Sequence, residues 1–402
     1  NGKTFSAAIT TGAGSYLFIG NGVDTIKQYD GAVWAAVAAF GGLVTSDINC
    51  AEVYKQRLYF GKKATLSIFY LAANAVAGAA TEYPLGALFR RGGSIAAIAT
   101  WTIDSGTGPD DNLVVATSNG EIAVFSGTDP SAAATWALRG VYYIAKPVNS
   151  YNSLYKYGGD ILFLSEAGLF PLSKYLLTAS IDRQKNLSQK VGQLFADLAV
   201  LYSANSGWQI LSVPDLPLLI VNVAGVAGGF QLAMHSETQA WTTFTGWPAF
   251  SMARMGSQVF IGEATRVSKV FIGAADWDAN IVAQSLQAYN PLKTARNKQI
   301  KMARATYVST GTFEYTLGLD SDFENTPTAN LIASGVGTAA LWGSGTWGTS
   351  LWSSSAVVTR SWKTVVDAPG VYKAFYQKVV SNAVTVSHQS TDFLVIPQGV
   401  FG

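Results

Sequence analysis

The chain of 402 residues carries 27 Lys+Arg against 25 Asp+Glu, for a net charge of +2, and only 13% of its residues are charged, about half the share of an average soluble protein. This balance argues against a dedicated nucleic-acid binder with a basic excess, and 49% hydrophobic with 12% aromatic residues excludes a disordered chain. A lone cysteine, Cys50, excludes an intrachain disulfide and a cysteine metal cluster.

In chain order, a short apolar run, a Gly, Asn or Ser turn and usually a second apolar run recur six times. The copies begin at Leu17 (LFIGNGVDTIKQY), Leu58 (LYFGKKATLSIFYL), Leu113 (LVVATSNGEIAVF), Leu162 (LFLSEAGLFPLS), Leu218 (LLIVNVAGVAGGFQLAM) and Val259 (VFIGEATRVSKVFIG). Each is a hairpin signal. Their start-to-start spacings of 41, 55, 49, 56 and 41 residues lie near the roughly 40–50 residues of β-propeller blades, each a small antiparallel sheet. The expected fold is therefore all-β, a six-bladed propeller-like body over residues 1–292, with a sandwich as the plainer alternative. Two uncharged runs, Ala64 to Thr81 and Leu216 to Ser236, are broken by Gly, Asn and Pro. They read as strand–turn–strand and not as membrane spans.

Between the fourth and fifth copies the spacing of Leu187, Val191, Leu194, Phe195, Leu198, Leu201 and Tyr202 predicts one inserted helix over about 180–203, with those residues as its apolar face. From Lys293 the texture changes. The run KTARNKQIKMAR carries Lys293, Arg296, Lys298, Lys301 and Arg304 with no acid. Strand-like runs follow it on either side of a Gly-, Ser- and Trp-rich stretch. A boundary at 292/293 and a C-terminal antiparallel, sandwich-like β domain over 293–402 are expected.

Residues able to do chemistry are scarce. His235 and His388 stand alone, and no metal-ligand spacing involves His or Cys. Asp320, Asp322 and Glu324 alternate as in a calcium loop but lack its Gly and its final Glu. Gly343-Ser344-Gly345-Thr346-Trp347-Gly348 matches the dinucleotide fingerprint literally, without the flanking strand, helix and downstream acid that give it meaning. The sequon Asn186-Leu187-Ser188 falls on the predicted helix. No catalysis, cofactor or metal is expected. Arg90-Arg91, beside Gly92-Gly93, reads either as a grip on a carboxylate or phosphate or as an exposed loop. Trp342, Trp347 and Trp352 recur every fifth residue. They suit a core or a subunit contact, with a sugar-stacking platform as the alternative.

The strings LYFGKKATLSIFYL, FRRGGSIAAIATWTIDSGTGPDDNLVVATSNGEIAVFSGTDPSAAATWALRGVYYIAKPV and GGDILFLSEAGLFPLSK resemble structural proteins of short-tailed bacteriophages, and ALWGSGTWGTSLW with RSWKTV is similar to a block near their end. The resemblance runs over nearly the whole chain and is densest from Phe89 to Lys174. It implies the tail nozzle, or tail tubular, family. The chain would then be a non-enzymatic virion protein assembled in the host cytoplasm, with additional sequence ahead of Asn1. Implied partners are its own copies in a six-fold ring, the adaptor ring below the portal, tail fibres, and genomic DNA passing through the lumen. Under this reading the segment from Lys293 to Arg304 lines the lumen or meets a neighbouring ring. The competing expectation is a propeller that binds or degrades glycans.

Overall fold

A computed structural model describes residues 4–102, 111–149, 151–176, 186–213, 215–311, 313–324, 328–334, 357–381 and 383–397. The fold is 54% strand and 6% helix, and all of the strand lies in small antiparallel sheets. It divides into two compact units, Asn1–Val270 and Phe271–Gly402. The division falls ahead of the expected 292/293 boundary because the strand over Ile281–Leu286 pairs with one near the C-terminus. Strand pairing outweighs the change in composition.

Unit 1 is a succession of six meanders. Sheet 1 contains β1 (Phe5–Thr11), β2 (Gly14–Gly20), β3 (Ile26–Tyr29) and β4 (Trp34–Val37). A ribbon of β5 (Ala39–Phe40) and β6 (Leu43–Val44) leads to sheet 2, made of β7 (Ile48–Tyr54), β8 (Arg57–Lys62), β9 (Ser67–Tyr70) and β10 (Thr81–Pro84). Sheet 3 holds β11 (Ile95–Thr102), β12 (Asp111–Thr117), β13 (Glu121–Gly127) and β14 (Trp136–Tyr143). Sheet 4 holds β15 (Leu154–Tyr157), β16 (Asp160–Ser165) and β17 (Gly168–Pro171), followed by α1 (Leu172–Leu176) and α2 (Gly192–Tyr202). Sheet 5 holds β18 (Gln209–Val213), β19 (Leu218–Val223), β20 (Phe230–His235) and β21 (Trp241–Thr245), and sheet 6 holds β22 (Ser251–Met255), β23 (Gln258–Gly262) and β24 (Val267–Val270).

Every hairpin anticipated from the sequence forms the second and third strands of one sheet. The reason is burial. In sheet 3, Leu113–Ala116 and Ile122–Phe125 are buried residue after residue, so both faces are covered and these stretches read as unbroken apolar runs. The outer strands β4, β14 and β21 are largely exposed, so they carry little apolar signal.

The sheets pack face to face in chain order, with one apolar cluster between each consecutive pair. Phe18, Phe40 and Phe60 join sheets 1 and 2, and Tyr59, Leu113 and Trp136 join sheets 2 and 3. Val114 and Phe163 join sheets 3 and 4, Leu164, Trp208 and Leu219 join sheets 4 and 5, and Ile220 and Ile261 join sheets 5 and 6. The first strands of successive sheets lie side by side, β1 by β7, β7 by β11, β11 by β15 and β18 by β22. Polar stitches cross these seams. Thr100 Oγ1 donates to Val53 O at 2.9 Å, and the Gln209 amide donates to and accepts from the Met252 backbone at 2.7 Å. Gly120 turns β12 into β13 at φ +86°, and a Cβ there would sit 2.3 Å from Ala145 O. Only glycine fits.

The helix is shorter than expected. It spans Gly192–Tyr202 after a 3-10 turn at Gln189–Val191, and residues 180–185 lie outside the described residues. Its buried face is Phe195, Leu198 and Ala199, whereas Leu194, Val200 and Leu201 are exposed, Val200 at 86%. Leu187 and Val191 precede it, so the anticipated seven-residue face is not one stripe.

Unit 2 contains β25 (Ile281–Leu286), β26 (Lys298–Ser309), β27 (Glu314–Ser321), β28 (Thr328–Ser334), β29 (Val357–Arg360), β30 (Lys363–Thr364), β31 (Lys373–Ser381) and β32 (Val386–Pro397). One sheet has the order β25-β31-β27-β28. In the other, β26 pairs with β29, β30 and β32. The alternating buried residues of β26, including Ile300, Ala305 and Tyr307, share a core with Tyr315, Leu317 and Phe375 of the first sheet.

Candidate functional site

Arg90 and Arg91 are exposed, on the loop that enters sheet 3. The loop is held by its backbone. Arg90 N donates to Glu121 Oε1 at 3.0 Å and Arg91 N to Glu121 Oε2 at 2.8 Å, while the Asn119 amide donates to Arg91 O at 2.7 Å. Glu121 itself is buried. Because the carboxylate holds the main chain, both guanidinium groups remain available. That of Arg91 lies over the half-exposed Tyr143 ring at 3.6 Å.

The basic segment does not present one charged face. Lys293, Arg296 and Lys301 are exposed. Arg304 is half-buried, bonds Asp392 Oδ2 through Nε at 3.0 Å and Nη2 at 2.8 Å, and lies over Trp362 at 4.7 Å. Lys298 is fully buried, and its Nζ donates to Val371 O at 2.5 Å. The expectation that Lys298 is a surface contact is therefore corrected: strand alternation in β26 turns it inward beside Ile300. Trp342, Trp347, Trp352 and the glycine motif at 343–348 lie outside the described residues. No group of His, Cys, Asp or Glu among the described residues is arranged to hold a metal. Asp322 instead accepts Val371 N and Tyr372 N at 3.0 and 2.8 Å, and Asp320 accepts the Tyr289 hydroxyl.

A feature the sequence reading missed is a cleft of about 340 Å³ in unit 1, formed by the lead-ins to sheets 3, 4 and 5 and the turns opposite them. On one side Lys146 Nζ lies 3.3 Å from Glu166 Oε1, which also accepts Ser203 Oγ at 3.1 Å. On another, Ser118 Oγ accepts Ser94 N at 3.0 Å. Asn49, an extra residue in the β7–β8 register, also lines the cleft. Its amide donates to Ile95 O at 2.5 Å, and its buried Oδ1 has no partner among the described residues.

The wall of the cleft is the connection from sheet 3 to sheet 4, which acts as a strap. Asn149 N donates to Ser203 O at 2.9 Å and its side chain to Ala204 O at 2.5 Å, reaching the lead-in to sheet 5. Two residues later the strap touches sheet 1. Tyr151 meets Phe5 edge-on at 6.1 Å, and Asn152 Nδ2 donates to Thr4 O at 3.3 Å. Burial raises the Tyr151 phenol pKa above its ordinary value, so the ring stays neutral.

A smaller cleft of about 170 Å³ in unit 2 lies between β25 and β32. Tyr307 Oη donates there to Gln377 Oε1 at 2.9 Å, and His388 Nε2 bonds Thr391 Oγ1 at 2.8 Å. Burial lowers the His388 pKa from 6.5, opposed by a backbone hydrogen bond at Ser390. The unfolded chain therefore binds this proton more tightly, and the stabilisation from a neutral His388 is lost as pH falls through 6.5 and below. His388→Gln should flatten part of the fall in melting temperature between neutral pH and pH about 5. An unchanged slope in the variant refutes this.

No protein-family model matches the chain, and no curated protein matches it.

Proposed function

We propose that the chain is a structural subunit of a short phage tail, the nozzle, forming a six-fold ring that continues the DNA conduit below the adaptor. In this reading unit 1 is a six-bladed β-propeller, and the protein acts by burying surface against its neighbours, not by catalysis. The observation that carries the reading is the coincidence of two patterns. The strings between Leu58 and Lys174 that resemble tail proteins supply β8, β9, β11 to β14, β16 and β17, most of sheets 2, 3 and 4 of a face-to-face series of six. Neighbouring first strands and an apolar seam between each pair of sheets suit blades arranged about an axis. Exposed apolar side chains support assembly as well: Trp34, Met255 and Val267 in unit 1, with Val200 and Leu201 on α2, lie open in a chain with few charges. Lys293, Arg296 and Lys301 are the cations of the basic segment left to meet a neighbouring ring or the lumen.

Electron microscopy of the purified chain and of particles containing it tests the reading. The expected image is a six-fold ring, coaxial with one capsid vertex in the particle. A chain that light scattering finds monomeric at high concentration, with no ring in the particle, overturns it.

A further inference from the structure

We infer that the cleft between the strap and the lead-ins to sheets 3 and 5 is a binding site for one neutral, pyranose-sized polyol. Its volume of about 340 Å³ lies at the small end of ligand pockets. Its charge selects the class. Lys146 and Glu166 face each other at 3.3 Å, so their formal charges cancel within the cleft. An anion entering beside Lys146 meets the Glu166 carboxylate, and a cation beside Glu166 meets the ammonium. A neutral hydroxyl avoids both penalties, because it accepts from an ammonium and donates to a carboxylate. Two vicinal hydroxyls therefore bridge such a pair without leaving either charge unsatisfied.

The remaining lining fits the same class. Ser94 and Ser118 supply hydroxyl groups able to donate and accept, and Ser203, whose O–H is given to Glu166, supplies an acceptor. Ile95, Pro147 and Val148 supply apolar surface for the C–H face of a sugar ring. This inference does not depend on the ring: a monomer would carry the same cleft.

The test is ligand-observed saturation-transfer NMR on the full chain with D-glucose, D-galactose, D-mannose and N-acetyl-D-glucosamine at millimolar concentration, and inorganic phosphate as competitor. At least one sugar should receive saturation, and phosphate should not displace it. Glu166→Gln and Lys146→Met should each weaken binding about tenfold, the effect of losing one charge-assisted hydrogen bond. Both should leave the melting temperature nearly unchanged, because the pair is partly exposed. No signal from any of the four sugars, full retention of binding in both variants, or displacement by phosphate overturns the inference. The ring seen or not seen in micrographs bears on the proposed function alone.

Discussion

Asp367→Ala should destabilise unit 2 by about 3–5 kcal/mol, the loss typical when one member of a buried ion pair is removed. Lys373 Nζ donates to Asp367 Oδ1 at 2.8 Å and to Ser321 Oγ at 2.8 Å, with a third bond to Ala368 O. The two side chains are 2% and 0% exposed. Asp367 also accepts Ile300 N through Oδ2 at 2.6 Å, tying the β30–β31 connection to β26. Truncation strands an ammonium and a backbone N–H together. The neighbouring Lys298 makes this worse. Its pKa is lowered first by burial and then by Lys373, with Asp322 opposing. The penalty for charging Lys298 is full below its depressed folded pKa and is relieved as pH rises towards 10.5. Chemical denaturation gives the loss, and hydrogen exchange should place it in β26 and β31. The double variant Asp367→Leu/Lys373→Met should recover the part due to the stranded ammonium, while the Ile300 N–H still lacks its acceptor. A single-variant loss below about 1 kcal/mol would mean that water replaces the carboxylate, and the account would fail.

Glu121→Ala should cost roughly 3 kcal/mol or more, because two backbone amides lose a charged acceptor and each such bond contributes about 1.5–3 kcal/mol. The effect is local. Trypsin should cut after Arg90 and Arg91 faster in this variant, as the loop loses the anchor on both residues. Arg90→Ala/Arg91→Ala should behave quite differently. It keeps both amide bonds to Glu121 and forfeits only the stacking on Tyr143, about 0.5–1 kcal/mol for an exposed cation over a ring. If that double variant impairs assembly while folding normally, the guanidinium groups contact a partner. Equal stability and equal trypsin sensitivity for Glu121→Ala and the parent chain would rule out the anchoring role.

The middle strands of unit 1 were legible because two covered faces leave little room for polar residues, the few present being held by hydrogen bonds, as Glu121 is. The Leu113 and Leu218 copies show it plainly, being buried along most of their length. The outer strands escaped notice because one open face dilutes the pattern, as in Trp136–Tyr143. Lys298 was misread for a different reason. Composition counts a lysine as surface charge, and only the alternation of β26, with a carbonyl waiting at Val371, shows that it points inward. The helix was lengthened by apolar residues that precede its first turn. The cleft had no local signature at all, since its lining comes from positions between Asn49 and Ala204 that only tertiary packing assembles.

The strap changes what kind of object unit 1 is mechanically. A row of sheets that touch only their neighbours behaves like a repeat array, able to fray from either end one member at a time. Asn149, Tyr151 and Asn152 add cross-bracing between members far apart in the row, bonding the lead-in to sheet 5 and the opening strand of sheet 1. Peeling sheet 1 away must therefore break contacts rooted next to sheet 4. The row is thereby turned from a chain of links into a braced frame, in which loss of sheet 1 is coupled to the contacts beside sheets 4 and 5.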